Sequence, residues 1–420
     1  MRIGYYAHHH GSGHCRQADK LAALLPVEWR QQLTVFTSLA PDVYTFTTIT
    51  DTQIVRLNPE DERTDDVLAG RAGQYWQPDC LHYSPIGNAD IQTRSWQILN
   101  IIQQRQIDLM IIDVSVEVAM LCRVASVPYL YVRLAGIRDD TPHSAAFAGA
   151  LGLIAPYPQE LEASMTSDWV RKKTFYLGFL PSTSSEVLPY ADFIQLLMTK
   201  TTDEVARARL QSAESNLSDV NVANNRKLTI ITVIKGYGGH EAIDAKLPAL
   251  RRALPEAFII SLGPINDEKR AYVDMAAHVS DVSPFIAHSD WLVMACGLNG
   301  IAQAYDYDTP LVVLPDSRPH QEQEVMAEAL IIQGRALSWS QFITQVSAEH
   351  RQDNLLAYSD SHYGSSYANH YASNDKNSHE NSHNFHSPAQ DLMNSLATFD
   401  ASKHWFQEWL LPKLGIHPEL

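Results

Sequence analysis

Residues 294–336 read MACGLNGIAQAYDYDTPLVVLPDSRPHQEQEVMAEALIIQGRA, and their punctuation decides the fold. An apolar run ends before Cys296, and a second apolar run follows at 311–314. Both are short and rich in β-branched or large aliphatic residues, as buried strands of a parallel sheet are. Between them, Cys296-Gly297-Leu298-Asn299-Gly300 breaks the first strand, and 301–307 is predicted as a short helix with its N-terminus on that loop. Free N–H groups and a positive dipole end suit such a junction to a phosphate, although many α/β proteins use the same turn only to connect strands. The polar segment His320-Gln321-Glu322-Gln323 follows the second strand, where open sheets bind ligands.

The same logic opens the chain. Residues 1–7 form a short apolar run, followed by HHHGSGHCRQADKLAALL. Gly11 and Gly13 permit close backbone approach, and Ala18, Leu21, Ala22 and Leu25 recur at helical spacing. Ser12 and His14 therefore sit where a strand passes into a helix. A third copy places the β-rich run 228–233 before Lys235-Gly236-Tyr237-Gly238-Gly239-His240. Three glycine loops at strand ends, distributed over two halves, predict an α/β protein with two doubly wound domains facing one cleft.

These motifs carry a family resemblance. The start Gly11-Ser12-Gly13-His14-Cys15-Arg16, the loop 235–239 and the late series of glycine loop, helix, x-Pro, strand, Pro and Gln-x-Gln resemble the two-domain nucleotide-sugar glycosyltransferases of GT-B architecture. The nearest group is that of the lipid II-forming N-acetylglucosaminyltransferase, with its family 28 C-terminal domain. The resemblance touches most of residues 1–340. It implies two Rossmann-like domains and a nucleotide-sugar donor held by the second. Three positions depart from the family pattern: Gln303 stands where a ribose-holding Glu is usual, Asp308 replaces a Gly, and Met326 replaces an Asn.

Bulk composition narrows the partners. The chain has 420 residues, enough for two ordinary domains, and 45% of them are hydrophobic. Lys and Arg total 32 against 48 Asp and Glu, a formal charge of −16. That balance argues against a broad nucleic-acid footprint and against general attraction to anionic lipid. Arg251, Arg252, Lys269 and Arg270 are the candidates for a local basic patch. Cys15, Cys80, Cys122 and Cys296 are scattered without a C-x-x-C pair, as in a reducing cytoplasm, the expected location. No leader-like apolar region opens the sequence, and no run approaches the ~20 apolar residues of a membrane span.

The first domain is expected over 1–180 with strands at 33–37, 109–114 and 129–133, a last strand near 176–179, and helices at 95–104 and 116–125. The interdomain connection is expected over 181–225, and the donor-nucleotide domain over 226–345 with strands at 228–233, 257–261, 292–295 and 311–314. Residues 359–387, rich in His, Ser and Asn, lack apolar content and period and read as a disordered insertion. Its histidines offer metal ligands without a defined spacing, and the tract is set apart from the active site. Residues 388–420 are expected to end in a helix packed back on the body. Its Trp405 and Trp409 leave peripheral membrane contact open.

Sugar transfer from a nucleotide needs a held diphosphate, a base for the acceptor hydroxyl and exclusion of water. His14 is the leading base, since imidazole takes a proton near neutral pH, with a helix-capping or diphosphate-contacting role as the alternative. Asp113, at a strand end, is a second base, an orienting group for His14, or an ordinary helix cap. Donor contacts are expected from Gly11, Ser12, Gly13, Gly236, Gly238, Gly239, Gly297, Leu298, Asn299 and Gly300. Lys235 is either a cation for the diphosphate or a solvated loop lysine. By the resemblance, Phe285 and Ile286 hold the base, Gln303 the ribose, and Gln321 and Gln323 the donor sugar; packing alone would also explain the first two.

No His, Asp or Glu triplet has metal-ligand spacing, so neither metal nor cofactor is expected beyond a UDP-sugar co-substrate. Three functions follow: an inverting glycosyltransferase with a saccharide, lipid-linked or small-molecule acceptor; a nucleotide-sugar hydrolase or 2-epimerase; or a non-catalytic nucleotide-sugar-binding protein.

Overall fold

The first sheet grows outward from β1 (Ile3–Tyr6), which pairs in parallel with β2 (Thr34–Thr37) on one side and β4 (Leu109–Asp113) on the other. With β3 (Ile54–Arg56), β5 (Tyr129–Val132), β6 (Gly152–Ala155) and β7 (Thr174–Tyr176) the order is β3-β2-β1-β4-β5-β6-β7, parallel throughout. The second sheet repeats the scheme with β8 (Ile230–Ile234), β9 (Phe258–Leu262), β10 (Met275–Ala277), β11 (Trp291–Met294), β12 (Leu311–Val313) and β13 (Ala336–Ser338). Its order is β10-β9-β8-β11-β12-β13. The computed structural model describes residues 1–8, 11–59, 78–84, 87–180, 187–218, 228–236, 241–348 and 405–415.

Both faces of each sheet are covered, which explains why the strands read as apolar runs rather than alternating ones. The two-residue period of a strand sends Ile3, Tyr5, Leu109, Ile111, Leu130 and Val132 into one core, and Tyr6, Phe36, Met110, Ile112, Tyr129 and Tyr131 into the other. In the second sheet Ile231, Val233, Ile259, Val293 and Val312 form one such layer.

Several boundaries differ from expectation. Short strands β3, β6, β10 and β13, of three or four residues, carry too few side chains to show a period. The helix expected at 301–307 begins earlier and spans Leu298–Ala304, with Gly297 as its N-cap. Leu298, Asn299 and Gly300 thus form its first turn instead of a preceding loop. Within the stretch read as the interdomain connection lie two helices, Tyr190–Lys200 and Glu204–Ser218. Phe193, Ile194, Leu197, Ala206 and Leu210 are buried with Ile230, Phe258 and Ile260 of the second sheet, so that domain's core reaches back to these helices.

The last described residues, 405–415, pack on the first domain. A wide-turn helix Trp405–Leu410 and the turn Leu411–Lys413 bury Trp405, Leu410 and Leu411 in the core beneath β1. The Trp409 ring occupies the space of a Cβ on Gly152, 2.6 Å away, and stacks obliquely on Phe175. Arg251 and Arg270 pair with Asp274 and Asp267, which offsets charge in the suggested basic patch. Among the described residues no helix is long and apolar enough to cross a membrane. The tract 359–387 lies outside the described residues.

Candidate active site

In each sheet the chain order reverses beside the first strand: between β1 and β4, and between β8 and β11. Connections leave in opposite directions at such a point and open a crevice past the strand ends. The two crevices face each other and form a cleft of about 1180 Å³, lined by His8, Gly11, Ser12, Gly13 and His14 from one side and Lys235, Gly236, Ile286, Asn299, Gly300 and Gln303 from the other. The domains also touch directly. Gln17 Nε2 donates to Asn299 Oδ1 at 3.0 Å, and Asn299 Nδ2 donates to the Gly13 carbonyl at 3.4 Å.

His14 stands in the first turn of the helix Gly13–Ala23. Its Nδ1 lies 2.9 Å from Asp113 Oδ2, at the end of β4. The Asp113 carboxylate is fully buried and also accepts from the Tyr5 hydroxyl at 3.2 Å. Burial alone would lower the His14 pKa. The charge and hydrogen bond of Asp113 outweigh it, so the net shift is upward from 6.5. With Nδ1 held by the carboxylate, Nε2 is the nitrogen left to exchange a proton. Asp113 thus pairs with His14 and is not the cap of the next helix; that cap is Ser115, whose hydroxyl accepts from Val118 N at 3.2 Å. Val114, between them, lines the cleft in a left-handed conformation at φ 55°, a strain that β-branched residues adopt where the surroundings enforce it.

Lys235 fits neither of its expected descriptions. Its ammonium is buried and bonded to Asp244 Oδ1 at 2.7 Å, with burial lowering its pKa and Asp244 partly restoring it. A lysine so engaged is not a solvated loop residue, and its charge is already matched. Phe285 packs edge-on against Phe193 in the second core and is not among the cleft-lining side chains, whereas Ile286 is. Gly297, half-buried, is the N-cap of the helix that carries the lining residues Asn299 and Gly300, and Leu298 is buried with Ile301 and Met326. Gln303 lines the cleft and donates from Nε2 to its own helix, to the Asn299 carbonyl at 3.2 Å, which leaves Oε1 as an acceptor. Gly238 and Gly239 lie outside the described residues, as do His9 and His10.

The segment 320–323 turns unexpectedly. His320 and Gln321 both have positive φ, 61° and 52°, so the chain reverses before the helix Glu322–Ile332. The turn exposes Gln321 away from the cleft and directs His320, Glu322 and Gln323 to it. Gln323 Oε1 braces two strand-end loops, accepting from Cys296 N at 3.2 Å and Asp316 N at 2.9 Å. Glu322, placed by the sequence in this polar segment but given no role of its own, is raised in pKa by burial against the opposing pull of Arg138 and His14. Arg138 Nη2 lies 3.4 Å from Glu322 Oε2. The first domain meets this turn through Gly136, at φ 112°, where an added Cβ would stand 2.6 Å from the His320 carbonyl; Ile137 N donates to the same oxygen at 2.7 Å. Of the other departures from the family pattern, Met326 is buried in the core and Asp308 is exposed; neither lines the cleft.

Spacing along the chain gives no metal-ligand set, but the fold gathers one. His82, Asp140, His143 and His320 bring one potential ligand atom each to within 4.8 Å of one another. They come from three separate segments and both domains, so no local pattern could reveal them.

No protein-family model and no curated protein sequence matches the chain. Solved structures do. Spinosyn rhamnosyltransferase SpnG aligns with a TM-score of 0.52 at 13% identity, covering 84% of this chain and 91% of that one. SpnG complexed with thymidine diphosphate gives 0.50 at 14% identity, covering 86% and 92%. SsfS6, a glycosyltransferase of Streptomyces sp. SF2575, gives 0.50 at 13%, covering 86% and 94%. Two parallel doubly wound sheets, their switch points facing across one cleft and matched over most of both chains, give this protein the GT-B fold of the nucleotide-sugar glycosyltransferases.

Proposed function

We propose that this protein is an inverting glycosyltransferase that moves a sugar from a UDP-sugar to a hydroxyl acceptor without a catalytic metal. The observation that carries the reading is the His14–Asp113 pair, 2.9 Å apart at the first switch point and facing the second domain's glycine turn across the cleft. The acceptor oxygen attacks the anomeric carbon from the face opposite the diphosphate, its proton passes to His14 Nε2, and the sugar–oxygen bond to the diphosphate breaks. Asp113 holds the imidazole tautomer and stabilises the imidazolium that forms.

Charge then gathers on the leaving diphosphate. Backbone N–H groups around Gly300 and the Gly11–Gly13 turn supply fixed dipoles that need no reorganisation. Gln303 Oε1 accepts from a ribose hydroxyl, as a neutral substitute for a carboxylate. Ile286 offers apolar surface for the base. SpnG was solved with thymidine diphosphate, which supports a nucleoside diphosphate as the ligand class; the preference for uridine rests on the family resemblance.

The test is a screen of nucleotide sugars with and without cell-extract acceptors, reading released nucleotide and transferred sugar separately. Transfer with UDP release is expected. Release without transfer would replace the reading by hydrolysis, and binding without either would replace it by a non-catalytic pocket.

A further inference from the structure

Three imidazoles surround one carboxylate where the two domains meet. His82 Nε2 lies 3.2 Å from Asp140 Oδ1, His143 Nδ1 lies 2.7 Å from Asp140 Oδ2, and His320 Nδ1 lies 3.6 Å from the same oxygen. The ring centroids are 4.6 Å apart for His82 and His143, 4.6 Å for His143 and His320, and 5.4 Å for His82 and His320. A tetrahedral zinc ion with bonds of about 2.0–2.1 Å separates its ligand atoms by about 3.3 Å. The His143 and His320 nitrogens, 2.7 and 3.6 Å from the one oxygen Oδ2, bracket that value, and one ligand atom from each of the four residues lies within 4.8 Å of the others.

Each position is set by backbone contacts rather than by the cluster. His82 N and Tyr83 N both donate to Glu117 Oε1, at 2.8 and 2.9 Å, which pins their turn to the helix Val116–Val124. Asp140 caps the helix Thr141–Gly149 through His143 N at 2.9 Å. The His320 carbonyl is held by Ile137 N, and a left-handed backbone aims its ring. The donor set is preorganised across both domains.

We infer that His82, Asp140, His143 and His320 bind a divalent first-row metal ion, zinc by preference, that ties the first domain to the second in the wall of the cleft, which His82, His143 and His320 line. Imidazole and carboxylate ligands suit zinc, and four protein ligands fill a tetrahedron, as in a structural site that keeps no open position for chemistry. The ion is thus a clip, held by residues other than the His14–Asp113 pair. One hydrogen bond must change on loading. Arg138 Nη1 now lies 3.1 Å from His143 Nε2. Once Nδ1 ligates the ion, Nε2 carries the proton, and the guanidinium turns to its other partner, Glu322.

The experiment uses the full chain with His362, His370, His379, His383 and His386 replaced by Asn, so that the histidine-rich tract does not compete. Chelator-stripped protein is titrated with zinc chloride against a chromophoric chelator. One tight equivalent is expected, together with a rise in thermal midpoint and, with cobalt(II), the visible absorption of a four-coordinate site. His320→Gln and His82→Gln should each weaken zinc binding at least about tenfold and abolish the thermal rise. Asp140→Asn, which keeps the helix cap, should do the same, and circular dichroism confirms that each variant is folded. Zinc binding that survives His320→Gln and His82→Gln would place the ion on other histidines, the 8–10 run included, and overturn the assignment. Absence of a tight equivalent in the parent chain would overturn it too.

Discussion

Asp113 Oδ2 lies 2.9 Å from His14 Nδ1, joining the end of β4 to the helix that follows β1 across the point where the first sheet reverses its order. The carboxylate is buried and the imidazole faces the cleft. Asp113 raises the His14 pKa above 6.5, against the effect of burial. A base works only when deprotonated, so kcat/KM for transfer should climb with pH along a limb whose midpoint lies above 6.5. Asp113→Asn should move that midpoint down and lower the plateau by about 10- to 10³-fold. The same shift contributes folding stability that is fully present below pH 6.5 and lost as pH rises through the folded-state pKa. Rate profiles of both proteins check the first claim, and denaturation across pH checks the second.

UDP should raise the thermal midpoint in chelator-treated buffer, because a ligand that binds only the native state adds stability with its concentration. Gly297→Asp separates binding from folding. Gly297 is an N-cap at φ −68° and ψ 137°, where aspartate is favourable for the helix, yet its charge opposes a diphosphate. The variant should fold at least as stably as the parent and lose the UDP shift. A shift of equal size with TDP would remove the preference for uridine.

Much of this architecture was legible before any coordinates. Paired glycine turns at strand ends signal doubly wound domains, and the His14 and Asp113 positions follow from strand ends alone. The lost information is of another kind. Glu322 and His320 face the cleft because two consecutive residues take left-handed backbone, and nothing in the letters His-Gln-Glu-Gln announces it. Lys235 sits on a predicted loop, but the burial that pairs it with Asp244 is tertiary. The four-residue His/Asp group is assembled from positions 82, 140, 143 and 320, a separation that no sequence spacing rule spans.

Gln303 should behave as a binding residue. Gln303→Ala removes the Oε1 acceptor and should weaken UDP binding by about 3- to 30-fold with little change in kcat. Gln303→Glu forfeits the bond to the Asn299 carbonyl, which repels a carboxylate and turns it outward to the cleft. There it accepts ribose hydroxyls more strongly than an amide does, so UDP binding should hold or tighten. Calorimetric titration of the three proteins decides it.

Gly136 should be intolerant of any side chain. Its φ of 112° is open to glycine, and a Cβ would stand 2.6 Å from the His320 carbonyl. Gly136→Ala should cost about 1–3 kcal/mol through backbone strain and the loosened interdomain contact. Denaturant unfolding gives the first quantity, and a larger radius of gyration in solution scattering reports the second.

The most direct test of the account compares sugar transfer by the unmodified protein and by His14→Ala, with the UDP dissociation constant measured in parallel. The account predicts that the unmodified chain transfers sugar from a UDP-sugar and that His14→Ala lowers turnover by about 10²- to 10⁴-fold while UDP affinity changes little. Equal turnover in the two proteins would contradict it and place the base elsewhere in the cleft.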